Sequence, residues 1–252
     1  VLKHLKHLYI ESANLSDEAC HILGSSETLS SLEGLYLGLN NTFDDAGFQS
    51  IIASPGLRQL KKLSLFYTIP SYFVYALFGS GHLPHLEWLD LTNNGICDEH
   101  IELFDQPSAF PKLQTLLMHF NEIGPSGAHS LSRQAWFEHI ETLVLSMNPL
   151  GGEGIESIVT CVRAKNLKHL SIGRTSAGDQ SAKAIANSPY MQNLETLHIE
   201  ANEITSEGLH ALAQSPYLTS LSHLRIHQNE FADEELEKLK ESSPVFQGVT
   251  TD

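Results

Sequence analysis

The sequence is short of basic charge: Lys and Arg number 15 against 30 Asp and Glu, for a formal net charge of −15. A surface that binds nucleic acid must neutralise phosphates, and an anionic bilayer makes the same demand, so neither is the expected partner. Cysteine is scarce as well. Cys20, Cys97 and Cys161 lie far apart, with no C-x-x-C pair and no terminal cluster, which argues against a disulfide framework and for a reducing compartment such as the cytoplasm. No apolar run is long enough to span a bilayer, and the opening VLKHLKHLYI lacks the arrangement of a signal peptide. Catalytic signatures are missing too: there is no G-x-S-x-G elbow, no phosphate-cradling glycine loop and no H-E-x-x-H. Gly151-Gly152 follows an Asn-x-apolar element and reads as a turn. No catalytic residue and no cofactor is expected, and the remaining class is an acidic chain that meets other proteins.

What is present is a repeat. The phrase L-x-x-L-x-L-x-x-N-x-I starts at Leu5, Leu32, Leu60, Leu86, Leu113, Ile140, Leu167, Leu194 and Leu221, at intervals of 26 to 28 residues. Its clearest copies run from Leu86 to Ile96, Leu113 to Ile123 and Leu194 to Ile204. The L-x-L core alternates at the period of a strand with one buried face, so Leu89 and Leu91 point inward while Trp88, Asp90 and Thr92 point out. The Asn that follows (Asn94, Asn121, Asn148, Asn202, Asn229) carries an amide able to satisfy backbone groups of adjacent coils where the chain turns. Stacked copies predict an asparagine ladder.

Next comes an acidic or small stretch, as at Asp17-Glu18, Asp44-Asp45, Asp98-Glu99, Ser206-Glu207 and Asp233-Glu234, followed by apolar spacing such as Leu209 and Leu212. Carboxylates in a first turn suit the positive end of a helix dipole, which accounts for part of the acid excess. Ser-Pro then recurs at Ser54-Pro55, Ser188-Pro189, Ser215-Pro216 and Ser243-Pro244, with Gln106-Pro107 a variant, and is read as the helix stop. One such unit cannot bury its apolar face alone, so about nine units of 27 residues must stack. The expected class is α/β, a horseshoe solenoid with a concave parallel β-sheet and convex helices.

Units of this length, with Asn202-Glu203-Ile204 leading to Gly208, resemble the ribonuclease-inhibitor-like leucine-rich repeats over roughly residues 2 to 240. The refrain from Ala53 to Leu60 resembles bacterial arrays of the type, effector-like proteins among them, for which a host cytosol would be the destination. Shorter effector repeats of about twenty residues do not fit, and F-box-type repeats carry Cys where this chain has Asn. The resemblance implies a non-catalytic module that binds a protein on its concave face. The alternative it implies is a GTPase-activating protein of the related repeat class, although no motif here carries that activity's residues. Partner identity and oligomeric state stay open.

The concave surface is read off as the residues flanking the buried positions. The candidate binding residues are Tyr9, Tyr36, Phe66, Tyr67, Trp88, Asp90, His119 and Phe120 in the N-terminal half, and His169, Arg174, His198, Glu200, His223, Arg225 and His227 in the C-terminal half. His7, Glu11 and Met147 flank them. Exposed aromatic side chains dominate protein interfaces, which makes Trp88 and Tyr36 the leading anchors; alternatively the rings only pack on one another. His198, Glu200 and His227 fall on adjacent strands and have metal-ligand chemistry, but alternate residues on a flat sheet diverge. A pH-sensitive partner contact is the favoured reading, and no metal is expected.

Repeat three departs from the pattern, with Thr68 for the Asn, Pro70 for the apolar residue, and six aromatics in residues 66 to 78 (Phe66, Tyr67, Tyr72, Phe73, Tyr75, Phe78) out of 20 in the chain. A functional site and a distorted helix filled by large side chains both explain it. Residues 1–241 are expected to form the repeat domain. Glu234 to Glu241 is a polar closing helix, and residues 242–252 a tail or cap. Leu2, Leu5 and Leu8 belong to a first coil with none ahead of it, so an upstream segment or flanking domain is expected.

Overall fold

In the computed structural model, which describes residues 3–40, 43–69, 73–79, 81–102, 110–247 and 250–251, each copy of the apolar phrase forms one coil. The strands are β1 (His7–Tyr9), β2 (Gly34–Tyr36), β3 (Lys62–Ser64), β4 (Trp88–Asp90), β5 (Thr115–Leu117), β6 (Thr142–Val144), β7 (His169–Ser171), β8 (Thr196–His198), β9 (His223–Arg225) and β10 (Thr250–Thr251). They make a single parallel sheet in strict sequence order. The middle leucines pair straight across it, Leu63 with Leu89, Leu89 with Leu116 and so on to Leu224. Parallel neighbours require a crossover, and each crossover here carries a helix. These helices are α1 (Asp17–Gly24), α2 (Asp45–Ile52), α3 (Val74–Gly79), α4 (Asp98–Glu102), α5 (Pro125–Arg133), α6 (Gly151–Val159), α7 (Gly178–Asn187), α8 (Ser206–Ala213) and α9 (Asp233–Ser242).

The leucines form one continuous core between sheet and helices. Leu35, Leu37, Leu63, Leu65, Leu89, Leu91, Leu197 and Ile199 are all buried, joined by the helix residues Ile155, Ile185, Leu209 and Leu212. Removing one such side chain to Ala costs about 3 kcal/mol or more, because the cavity is bounded by two neighbouring coils that cannot both collapse.

The predicted asparagine ladder is present. Asn121 donates through Nδ2 to the carbonyls of Leu91 in the preceding coil (3.1 Å) and Met118 in its own (2.9 Å), while its Oδ1 accepts from the amides of Asn94 and Ile96 (both 3.0 Å). Asn94, Asn148, Asn202 and Asn229 repeat the pattern. Asn40 is a sixth member, donating to Ile10 and Leu37. Where repeat three has Thr68, the hydroxyl donates to the Leu37 carbonyl of the preceding coil at 2.8 Å, whereas Thr175 donates to the Ile172 carbonyl of its own coil at 2.9 Å. Thr thus keeps one of the amide's bonds.

A second ladder runs along the helix ends. Ser188, Ser215 and Ser243 donate through Oγ to the carbonyls of Val159 (2.5 Å), Ala186 (2.6 Å) and Ala213 (2.5 Å) of the preceding coil, and Ser54 donates to Gly24. Cys161 takes the same position, its Sγ 3.2 Å from the Ser132 carbonyl. The Ser-Pro refrain is therefore more than a helix stop. Pro55 and Pro189 each open a 3-10 turn, where a missing N–H is no loss, and the serine ties two coils together. Gln106 and Pro107 lie outside the described residues.

The acidic helix starts also do more than face a dipole. Asp179 Oδ1 accepts from the amides of Thr205 (2.8 Å) and Gly208 (3.0 Å) at the start of the following helix, and Oδ2 takes the Thr205 hydroxyl at 2.6 Å. A Cβ on Gly208 would overlap that carboxylate. Asp98 makes the same clasp on the Gly124 amide at 2.6 Å, over Gly127, and Asp17 on the Asp44 amide at 2.8 Å, over Gly47.

In repeat three, Phe73 and Phe78 are buried: Phe73 stacks on Phe48 at 5.3 Å, and Phe78 meets Phe110 edge-on at 4.8 Å. For these two the packing explanation holds, since α3 is short and aromatic rings fill behind it. Tyr67 and Tyr75 are exposed, and Pro70 and Tyr72 lie outside the described residues. At the C-terminus Phe246 is buried and β10 adds to the edge of β9. Leu5 and Leu8 are half-buried against the core at the other end, where Leu2 is outside the described residues.

Candidate functional site

Strand register sorts the sheet's open face into rows that run across the coils. The row at the strand starts reads His7, Gly34, Lys62, Trp88, Thr115, Thr142, His169, Thr196, His223 and Thr250. The row at the strand ends reads Tyr9, Tyr36, Ser64, Asp90, Leu117, Val144, Ser171, His198 and Arg225. Ladder hydrogen bonding continues beyond the strands, from Leu39 to Phe66, Tyr67 to Thr92, Phe120 to Ser146 and Arg174 to Glu200. This adds a third row with Phe66, His119, Glu200 and His227, and a fourth, immediately before the ladder Asn, with Tyr67, Phe120 and Arg174. All fifteen candidate residues fall in these four rows.

The N-terminal rings touch. Tyr9 stacks on Tyr36 with centroids 4.2 Å apart, and Tyr36, in the strand-end row, meets Trp88, in the strand-start row, at 6.1 Å across β3, whose strand-end residue is the small Ser64. Burial and the hydrogen bond with Tyr9 push the Tyr36 phenol up to about 12. Packing of the rings on one another is thus real, yet Tyr9 stays 63% exposed and Tyr36 and Trp88 half-exposed. Further on, Asp90 accepts from the Ser64 hydroxyl (3.1 Å) and the Thr92 amide (3.0 Å), and Thr92 Oγ1 lies 3.1 Å from His119 Nδ1. Thr92, read as outward-facing, is buried under these neighbours.

In the C-terminal half, Glu200 lies over Gly173, where a Cβ would overlap its carboxylate. Its Oε2 is buried with no hydrogen-bond partner among the described residues. Arg174 is exposed, with Nη2 3.4 Å from Gln228 Oε1. Among the described residues no group of three or more His, Cys, Asp and Glu could hold a metal ion, so His198, Glu200 and His227 are near neighbours without a metal-binding geometry. Along the edge before the strands, Glu33 is gripped by Lys6 (2.6 Å) and Lys61 (3.0 Å), whose hydrogen bonds and charges hold its carboxyl down at about 2.

The fourth row was only partly foreseen. Leu39, Tyr67, Asn93, Phe120, Met147, Arg174, Ala201 and Gln228 all have φ between 53° and 58° or close to it, from 47° at Tyr67 to 61° at Leu39. This left-handed region costs a non-glycine L-residue roughly 1 kcal/mol or more and is best tolerated by Gly and Asn. Four of the eight are nevertheless large and apolar, exposed to 42% (Leu39), 47% (Tyr67), 55% (Phe120) and 40% (Met147). Leu39 and Lys62 escaped the sequence reading. The place before the ladder Asn was the available signal, but an apolar residue gives no hint of positive φ.

Leucine-rich-repeat family models match residues 85–106, 138–159 and 190–213. No curated protein matches the sequence. Among solved structures, a leucine-rich-repeat protein of Leptospira interrogans is similar with a TM-score of 0.54 and 17% identity, over 99% of this chain and 54% of that one. The chain thus spans about half the length of that protein. An internalin of Listeria monocytogenes is aligned over 99% of this chain and 87% of its own, at 16% identity and a TM-score of 0.42. Among the described residues no helix is long and apolar enough to cross a membrane. Repeat proteins of this kind generally act by binding other proteins, typically without catalysis. Repeat, register and topology together make this chain a leucine-rich-repeat solenoid.

Proposed function

We propose that the chain is a non-catalytic recognition module that docks a partner protein on the concave face of its sheet. The observation that carries this is the unbroken ten-strand face, whose side chains run from Tyr9, Tyr36 and Trp88 at one end to His198 and Arg225 at the other. Inward leucines, the ladders and the clasps hold the coils together, so aromatic and cationic residues on the outward rows can take part in recognition. Imidazoles at His119, His169, His198, His223 and His227 add polar, hydrogen-bonding contacts to the same rows. The strand-plus-helix coil of 27 residues supports a place among ribonuclease-inhibitor-like arrays, and an effector role belongs to the same reading. Residues 1–241 are the recognition array and 242–252 its cap, a division supported by the buried Phe246. Capture of partners on the immobilised chain, compared with Trp88→Ala and Arg225→Ala, tests the proposal. Loss of the same captured protein by at least one variant is expected; undiminished capture by both contradicts it.

A further inference from the structure

The fourth row has a property that stacking and the ladders do not require. Asn93 shows that the residue best suited to positive φ is acceptable there, while Leu39, Tyr67, Phe120 and Met147 hold bulky apolar side chains in that region and leave them in water. They stand on coils two, three, five and six, in one line fixed by the ladder bonds, and the line runs on to the exposed guanidinium of Arg174 on coil seven.

Spacing identifies what fits. Adjacent coils are about 4.8 Å apart and one turn of α-helix rises about 5.4 Å, so residues at i, i+3 or i+4, and i+7 of a helix laid along the row meet roughly one coil each. From Leu39 to Arg174 is five coil steps, about 24 Å, which a helix covers in about 16 residues. We propose that this row is a docking rail for an amphipathic helix of the partner protein, its apolar stripe on Leu39, Tyr67, Phe120 and Met147 and a carboxylate one turn further on, paired with Arg174. The charge of Arg174 fixes which end of the helix carries the acid, and Glu200 in the neighbouring row disfavours the opposite register for a second carboxylate. This deepens the concave-face reading above and rests on it.

The test is a display selection of 20-residue helix-forming peptides on the chain, followed by affinity measurements against three sets of variants. Selected peptides are expected to share an apolar stripe at i, i+3/i+4, i+10/i+11 and i+14, with no apolar requirement at i+7, where the row carries Asn93, and with Asp or Glu one turn beyond the stripe. They should bind at least tenfold more weakly to Phe120→Asn/Met147→Asn and to Arg174→Glu. Since Asn is at home in this backbone region, the double variant should melt no lower than the unaltered chain, so lost binding is not lost folding. Peptides that depend on Trp88 and Arg225 but not on Phe120, Met147 or Arg174, or that carry a basic end, overturn the rail and leave the concave-face reading standing. Peptides indifferent to all of these variants overturn both.

Discussion

Asn121 shows how much one side chain can decide. Its amide is buried and makes bonds to two coils at once, so Asn121→Ala strands backbone carbonyls and amides in the core at a cost of about 2–4 kcal/mol. Urea unfolding of Asn121→Ala and Asn121→Thr checks this, with the smaller loss expected for Thr because Thr68 and Thr175 already fill ladder positions. Phe120→Asn should move stability the other way, upward by up to about 1 kcal/mol, by relieving a strained and exposed ring. Cys20 is buried, and burial together with the charge of Asp17 raises its thiol to about 11. At pH 8 it should react with an alkylating reagent far more slowly than the half-exposed Cys97 and Cys161, as mass spectrometry of the native chain would read. Glu33 is the acid-sensitive counterpart. Its lowered carboxyl gives a stabilisation present above the ordinary glutamate range and lost as pH falls toward about 2, and screened by salt because the group is exposed.

Whole elements depend on the clasps between successive helix starts. Gly208→Ala pushes a methyl into the Asp179 carboxylate that caps α8, and should cost about 1–3 kcal/mol by differential scanning calorimetry. Ala at Gly95, where nothing lies within reach but φ is positive, isolates the backbone contribution. The strands and most helices were legible in the sequence because leucine period, acidic starts and Ser-Pro recur in register. The clasps and the serine ladder were not: each joins residues 26 to 30 apart, and nothing local in Asp179 or Ser188 distinguishes a capping side chain from one that reaches the adjoining coil. Repeat three was legible as an exception. Burial of Phe73 and Phe78 supplies a packing reason for two of its six rings.

At the scale of the molecule, the contacts that give stability and the proposed recognition surface lie on different rows. Inward rows, ladders and clasps hold coil to coil, and the outward rows carry the candidate binding residues. Most of rows one to three of the candidate site was readable from the strand alternation, so Trp88, Asp90 and Arg225 could be placed without coordinates, whereas Lys62 was overlooked and Thr92 is buried. The fourth row follows the backbone into the left-handed region, where alternation ceases to guide, and its apolar character at Leu39 emerged only with the dihedral angles. Hydrogen exchange of the chain with and without a captured partner tests the central claim most directly. Protection is expected along β2 to β9 and the turns bearing Tyr67, Phe120 and Arg174, with α5 to α8 unchanged; protection confined to those helices would contradict it.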